Sequence, residues 1–272
     1  MSDNENLTVV YPPKEKELKK KLDALMQEWP KCIATEQDRK AFCSDGFYPF
    51  YAYQKIKILF VGQESYGLGE HNYIAVFNNL YHSGFLDDNK SINMSKFHSR
   101  MFYVAYGILR DFPEWEVVPY PDACRTDIFT KDGISFAFMN ISKISPEKYR
   151  PTNWSDVMRS VHEGAANIRE EMKLLAPDIV ITMHLMKRRR GKIASALFDK
   201  WDEVDCTDPN VHVYWATNAS KKMLVLDAWH FSARNKKTFE CYYQPIEQAC
   251  RKYLRQASKA AGSNSERLPA EN

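Results

Sequence analysis

The sequence predicts an α/β fold, a three-layer α/β/α sandwich around a central, mainly parallel sheet of four strands. Two observations lead to this prediction. Four short apolar runs have the length of buried strands, and amphipathic helical segments lie between them. The four runs span residues 56–61, 134–139, 179–183 and 223–226, and each ends at or near polar residues. Because ligands bind beyond the carboxyl ends of parallel strands, these polar residues predict a site at that edge of the sheet.

Length and composition limit the classes of protein to which this chain can belong. With 272 residues, of which 44% are hydrophobic, the chain can bury a substantial core. No window approaches the roughly 20 consecutive apolar residues that cross a bilayer, and residues 1–8 are polar, so we expect a cytoplasmic protein without a membrane partner. A monomer is expected.

Cysteine spacing and net charge constrain the function only weakly. The six cysteines form no CxxC pair, which argues against a zinc ribbon and gives no disulfide framework. The chain also lacks the clustered ligand spacing of a metal site and the iron–sulfur pattern of some enzymes, so we expect no metal and no cofactor. A net charge of +3 is compatible with a local phosphate-facing patch but does not identify a partner.

The first predicted helix covers residues 14–29. Apolar side chains recur there at helical spacing, and lysines and glutamates fill the other face. We place this helix in an N-terminal extension, residues 1–47, that packs on the core. After the first strand, residues 66–84 are expected to form a site loop that leads into a helix.

A long segment, residues 85–133, separates the first two strands. It has one helical stretch at 97–109 and a proline-rich turn at 118–121. So long a connection usually carries function or covers a functional site.

The second half of the chain predicts two crossovers. Apolar residues follow a helical period over 154–175 and stop before Pro177, which predicts a long helix between two parallel strands. The remaining predicted elements are a helix over 192–201, a possible short strand over 211–215 and a final helix from 237 to about 256. We therefore expect a catalytic domain over 48–257 and a disordered tail over 258–272.

The loop after the first strand carries the first candidate site residues. It reads Val61-Gly-Gln-Glu-Ser-Tyr-Gly-Leu-Gly69, with neither Gly-Lys-Ser/Thr nor GxGxxG, which argues against kinases and dehydrogenases. It offers the carboxylate of Glu64, and Asn140 and His230 follow other strands. A carboxylate, an amide that reads a base edge and an imidazole suit hydrolysis of a nucleoside bond.

In three segments the sequence resembles the uracil-DNA glycosylase superfamily. Members of that superfamily carry a GQDPY-like or GxNPG-like loop after the first strand, an asparagine at the end of the second and an HPS-type loop after the last. The matching segments are Gly62-Gln-Glu-Ser-Tyr66, Phe138-Met-Asn-Ile-Ser-Lys-Ile144 and His230-Phe-Ser-Ala233. They occur in the same order and lie within residues 56–233.

This resemblance implies roles for three residues. Glu64 stands where the family places an aspartate or asparagine that positions the water or stabilises the cationic sugar. Asn140 would pair with the Watson–Crick edge of an extruded base. His230 would donate a hydrogen bond to the base oxygen where negative charge grows as the glycosidic bond breaks.

Further contacts are implied around these three. Gln63 would contact the base or the pocket wall, and Tyr66 would pack against C5 of the base and exclude thymine. Phe77 is either a stacking platform for the base or a core residue. Ser232 could bind a DNA phosphate. The loop that carries Arg234 has no aliphatic side chain to insert between the bases, so Arg234 is our candidate to fill the gap left by the flipped base.

A basic run follows the third strand. It consists of Lys187, Arg188, Arg189 and Arg190, and it is either a phosphate-binding patch or a solvated helix start. As a patch, it would set the salt dependence of DNA binding and not the choice of base. His184 beside it could point into the cleft, although a structural use is expected.

Three departures from the family pattern leave the target base open. Ser65 replaces the proline of the first loop, Gly67 stands where many members have a histidine, and Phe231 replaces the proline of the HPS-type loop. A base with a bulky substituent would need a differently shaped pocket.

The sequence therefore predicts a hydrolase of N-glycosyl bonds. In this hypothesis a monofunctional DNA glycosylase flips a uracil or modified pyrimidine out of duplex or single-stranded DNA and leaves an abasic site, as in DNA repair. One alternative keeps the chemistry but excises a hypermodified phage base in antiviral defence. The other is a catalytically silent nucleic-acid-binding module on the same fold.

Overall fold

A computed structural model of the chain describes residues 9–85, 90–146, 151–186 and 191–263, with side chains up to residue 254. Within these ranges, no helix has the combination of length and apolar character needed to span a membrane.

One mixed sheet of seven strands forms the centre of the protein. The strands are β1 (Gly46–Phe47), β2 (Ile58–Gly62), β3 (Ala137–Asn140), β4 (Ile179–Met183), β5 (Lys200–Asp205), β6 (Val211–Asn218) and β7 (Lys221–Ala228). Their spatial order is β1-β3-β2-β4-β7-β6-β5. The four central strands β3, β2, β4 and β7 are mutually parallel, and they are the four apolar runs of the sequence.

The α/β class is confirmed, but the prediction of a four-stranded sheet was wrong. Three antiparallel strands extend the parallel core: β1 pairs with β3 at one edge, and β6 and β5 follow β7 at the other. β1 has only two residues, too few for a pattern. The side chains of β5 are mostly exposed, as at a charged sheet edge, so its sequence lacks the apolar signal of a strand.

Helices cover both faces of this sheet. They are α1 (Lys16–Glu28), α2 (Glu36–Lys40), α3 (Tyr73–Ser83), α4 (Lys96–Leu109), α5 (Trp154–Leu175), α6 (Gly191–Leu197) and α7 (Gln244–Ser263), the last preceded by a π-helical turn at Phe239–Tyr243. In β2, Ile58 and Phe60 face a core shared with α3, α4 and the chain around α7. Leu59 and Val61 face a second core shared with α1, α5 and α6. The predicted helices at 14–29, 97–109 and 154–175 are confirmed.

The helix predicted over 192–201 is shorter than expected. α6 ends at Leu197, and Trp201 lies in β5. The side chain of Asn218 explains the end of the helix, because its Nδ2 donates to the Leu197 carbonyl at 2.8 Å and its Oδ1 accepts from Asp199 N at 2.9 Å. A side chain distant in sequence therefore sets this boundary.

The two ends of the described chain also differ from expectation. The segment 1–47 contributes β1 to the sheet as well as helices. α7 extends past residue 256, so the tail predicted over 258–272 overlaps this helix up to Ser263, and residues 264–272 lie outside the described ranges.

In the described part of the 85–133 segment, α4 belongs to the core. Most of α4 is buried, including the guanidinium of Arg100. Gly107 in this helix lies against Phe112 and Tyr243, and a Cβ there would come within 2.8 Å of both rings. The close approach of these rings therefore requires glycine.

Candidate functional site

A cavity of about 690 Å³ opens at the carboxyl ends of the four parallel strands. It is lined by seven of the residues proposed from the sequence: Gln63, Glu64, Tyr66, Phe77, Asn140, His230 and Ser232. Three strand ends and one helix, α3, supply them. The sequence pattern therefore predicted which residues meet at this edge of the sheet.

Gly62 and Asn140 lie opposite each other where β2 and β3 end. A Cβ on Gly62 would lie 2.6 Å from Asn140 Oδ1, so the asparagine side chain occupies the space that a larger residue would fill. Asn140 is buried, and among the described residues none forms a hydrogen bond with its side-chain amide. The amide is therefore available to a ligand in the cavity.

Glu64 belongs to a small network of hydroxyl groups. The Tyr66 hydroxyl donates to Glu64 Oε1 at 3.0 Å and accepts from Thr152 Oγ1 at 2.6 Å, and Gln63 Oε1 lies 3.4 Å from the same Thr152 oxygen. Burial raises the pKa of the Glu64 carboxyl, and the nearby hydroxyl groups of Thr152 and Tyr66 act in the opposite direction. The network fixes the carboxylate at the cavity wall.

His230 is held in one tautomer by its own loop. Ser232 N donates to His230 Nδ1 at 3.3 Å, and Ser232 Oγ lies 2.7 Å from the same nitrogen. Because Nδ1 accepts, the ring proton sits on Nε2. Burial lowers the pKa of His230 to about 4, so the imidazole is neutral near physiological pH and offers one N–H donor.

Arg100 of α4 fixes the course of the loop that carries His230. Its guanidinium donates to the carbonyls of Phe231, Ala233 and Lys236, and it lies 4.5 Å from the centre of the Tyr242 ring. Arg100 is fully buried, and burial lowers its pKa. A buried guanidinium that ties three carbonyls together specifies one loop conformation, which no local sequence signal indicated.

Aromatic rings form the apolar wall of the cavity. Phe77 packs on Tyr73 at 4.3 Å and on His98 at 4.2 Å between ring centres, and it also lines the cavity. Phe77 is thus both a packing residue and a surface open to a ligand, the two alternatives left open by the sequence.

A buried carboxylate positions the loop after β4. Asp227, buried on β7, accepts hydrogen bonds from Thr182 Oγ1 and Leu185 N, both at 2.7 Å. His184 between them has a φ of 61°, lines the cavity and lies 5.1 Å from the Trp229 ring. Of the two alternatives considered for His184, the structure therefore shows the one in which it borders the cavity.

The remaining proposed residues lie elsewhere. Lys187, Arg188, Arg189 and Arg190 lie outside the described residues. Arg234 is exposed and is not part of the cavity lining, and its carbonyl accepts from Lys96 Nζ at 3.0 Å.

Sequence reasoning missed several lining residues. Thr152 and Trp154 reach the cavity from the start of α5, and Phe97 and His98 reach it from the first turn of α4. Their elements were predicted, but no motif marked these positions. Among the described residues, no group of three or more His, Cys, Asp or Glu side chains is arranged to hold a metal ion.

Neither a scan against protein-family models nor a search of curated proteins finds a match to this chain.

Proposed function

We propose that the protein is a monofunctional DNA glycosylase that hydrolyses the N-glycosidic bond of a pyrimidine flipped out of DNA. The observation that supports this most is the meeting of Glu64, Asn140 and His230 around one aromatic-walled cavity. Enzymes that act on a base must bring it out of the stack into such a pocket, where its edge is read by hydrogen bonds.

The leaving base would be stabilised by His230. As the bond from C1′ to the base breaks, its electron pair leaves with the base, and negative charge grows on the base oxygens. A neutral imidazole with its proton on Nε2 donates to such an oxygen, and a donor placed at developing charge typically changes a rate by about 10²–10³-fold.

The sugar would be stabilised by Glu64. An oxocarbenium-like sugar carries positive charge, and a fixed carboxylate favours that charge. Water then forms a bond to C1′, and Glu64 accepts the proton that the water releases. The hydrogen bond from Tyr66 holds the carboxylate in place for both steps.

The size of the cavity supports a second candidate substrate. A volume of about 690 Å³ is in the range of pockets for drug-sized ligands, and a pyrimidine is much smaller. A hypermodified base, as in antiviral defence against phages with decorated DNA, would use that extra volume.

The test is a panel of oligonucleotides incubated with the protein and then heated in alkali. The panel carries uracil, 5-hydroxymethyluracil, hypoxanthine, and plain or glucosylated 5-hydroxymethylcytosine. The base that yields strand breaks is the substrate, and a Glu64→Gln, His230→Ala double variant prepared in parallel controls for contaminating activity. DNA binding without breaks at any base would favour the catalytically silent module.

A further inference from the structure

His98 is a buried residue of the cavity wall that the proposed mechanism does not use. It lies in the first turn of α4, is 8% exposed and lines the cavity. Its ring contacts Phe77 at 4.2 Å and Phe97 at 5.4 Å, and Phe97 in turn lies 5.7 Å from the His230 ring. The two imidazoles therefore share one aromatic neighbour.

The tautomer of His98 follows from the helix cap. Ser95 Oγ accepts from His98 N at 3.4 Å and lies 2.8 Å from His98 Nδ1. Among the described residues the proton of this hydroxyl has no acceptor other than Nδ1, so we assign it to Nδ1 and place the ring proton on Nε2. Burial lowers the pKa of His98 to about 3, so the ring is neutral.

The donor that remains on His98 has no acceptor. Nε2 is buried, and no described residue accepts a hydrogen bond from it. Buried N–H groups almost always have a partner, and an exception inside a binding cavity indicates a group that a ligand completes. The nitrogen is covered by protein atoms, and the Phe77 ring of the cavity wall packs on the imidazole, so the contact proposed below requires that this ring move aside.

We propose that His98 is a specificity-determining residue that donates its Nε2–H to an oxygen carried by a substituent of the base. This inference rests on the proposed function. For a pyrimidine without a substituent, Asn140 and His230 already provide the hydrogen bonds to the base edge and to the base oxygen. A third donor on an aromatic wall selects a base with an additional acceptor, such as a hydroxylated substituent, over one with an apolar group of similar size.

Equilibrium binding tests the proposal without depending on catalysis. The probes are free 5-hydroxymethyluracil and thymine, which differ by one hydroxyl group, and calorimetry gives the ratio of their dissociation constants. For the wild type we expect 5-hydroxymethyluracil to bind about tenfold more tightly or better, the value of one well-placed hydrogen bond. His98→Phe should bring the ratio close to one, and His98→Gln, which keeps an N–H donor, should retain part of the preference.

The outcomes separate this inference from the proposed function. An equal affinity of the wild type for both probes, an unchanged ratio in His98→Phe or a lack of binding of either probe would overturn the role of His98. A preference that depends on His98, together with no strand break at any base, would instead contradict the glycosylase and leave the ligand contact standing. Thermal melting of both variants confirms that they are folded.

Discussion

The carboxylate of Asp45 accepts a hydrogen bond from the backbone nitrogen of Asn140, with 2.7 Å between Asp45 Oδ2 and Asn140 N. The other oxygen of Asp45 pairs with the ammonium group of Lys143, which also lies 2.7 Å from Glu171 Oε2. All three side chains are fully buried. A buried charge cluster thus fixes the backbone of a residue whose side chain lines the cavity.

The two carboxyl groups of this cluster should respond differently to neutralisation. Burial, with the nearby charge of Asp45, raises the pKa of Glu171 well above its ordinary value, which favours the neutral form of this carboxyl group. We expect Glu171→Gln to change the free energy of unfolding by about 1 kcal/mol or less. Asp45→Asn should cost about 3 kcal/mol or more, because Lys143 loses its buried anion and the new NH2 group would face one of the two donors.

Urea unfolding of the two variants measures this difference, and each variant is the matched control of the other. Equal losses would show that Glu171 is ionised and that the cluster contains two buried anions.

Removing the proposed contacts to the base should lower the rate of excision and leave the fold intact. We expect Asn140→Ala and His230→Ala each to reduce excision of the true substrate by about two orders of magnitude, since each removes a donor placed at developing charge or a base edge. Single-turnover rates measure this. Asn167→Ala on α5 and His212→Ala on β6 are matched controls that lie outside the cavity lining. Near-wild-type rates for both cavity variants would remove them from the site.

The fall in the excision rate at low pH, the acid limb of the pH profile, should follow the protonation of Glu64. Its pKa is raised by burial, so as the pH falls the ionised form is lost at a higher pH than for an exposed glutamate, and the rate falls with it. Tyr66→Phe removes a hydrogen bond that favours the ionised form, so the limb should move to higher pH. The comparison is a pH profile of single-turnover rates for the two proteins. Identical acid limbs would mean that Tyr66 does not support the carboxylate.

His98 should make the protein less stable in mild acid. Its pKa is about 3 in the folded protein and about 6.5 when unfolded, so the unfolded chain binds the proton first as the pH falls. Stability is therefore present above about pH 6.5 and is lost as the pH falls towards 3, with about 2 kcal/mol lost by pH 5. The free energy of unfolding of His98→Phe should lack this component. His230 shifts in the same direction but is present in both proteins, so its contribution cancels in the comparison.

The sequence predicted the parallel core and the meeting of polar residues at its edge because both depend on local patterns. Apolar runs mark buried strands, and their carboxyl ends must share one edge. What could not be predicted depends on contacts distant in sequence. Asn218 ends α6 through the Leu197 carbonyl, and Arg100 fixes the His230 loop through three carbonyls. His98 lines the cavity in contact with Phe77 and Tyr81 of α3, and a single histidine in an amphipathic helix carries no signal of those contacts.

Arg234 remains the side chain that we predict to act as a wedge, filling the gap that a flipped base leaves in duplex DNA. It is exposed, and Lys96 Nζ donates to its carbonyl at 3.0 Å, which ties its backbone to the first turn of α4, where Phe97 and His98 reach the cavity. A guanidinium can stack between bases and pair with a phosphate, and holding a base out of a duplex requires that the gap be filled.

We therefore expect Arg234→Ala to slow excision from duplex DNA about tenfold or more and to leave excision from single strands nearly unchanged, because a single strand has no stack to reopen. Lys237→Ala, which removes an exposed cation a few residues away, is the matched control for a general loss of charge. The measurement is the ratio of single-turnover rates on the two forms of the same oligonucleotide. Equal effects on both forms, or none on either, would exclude Arg234 as the wedge. The next side chain to test would then be Met94, which is 68% exposed directly before α4 in the 85–133 segment.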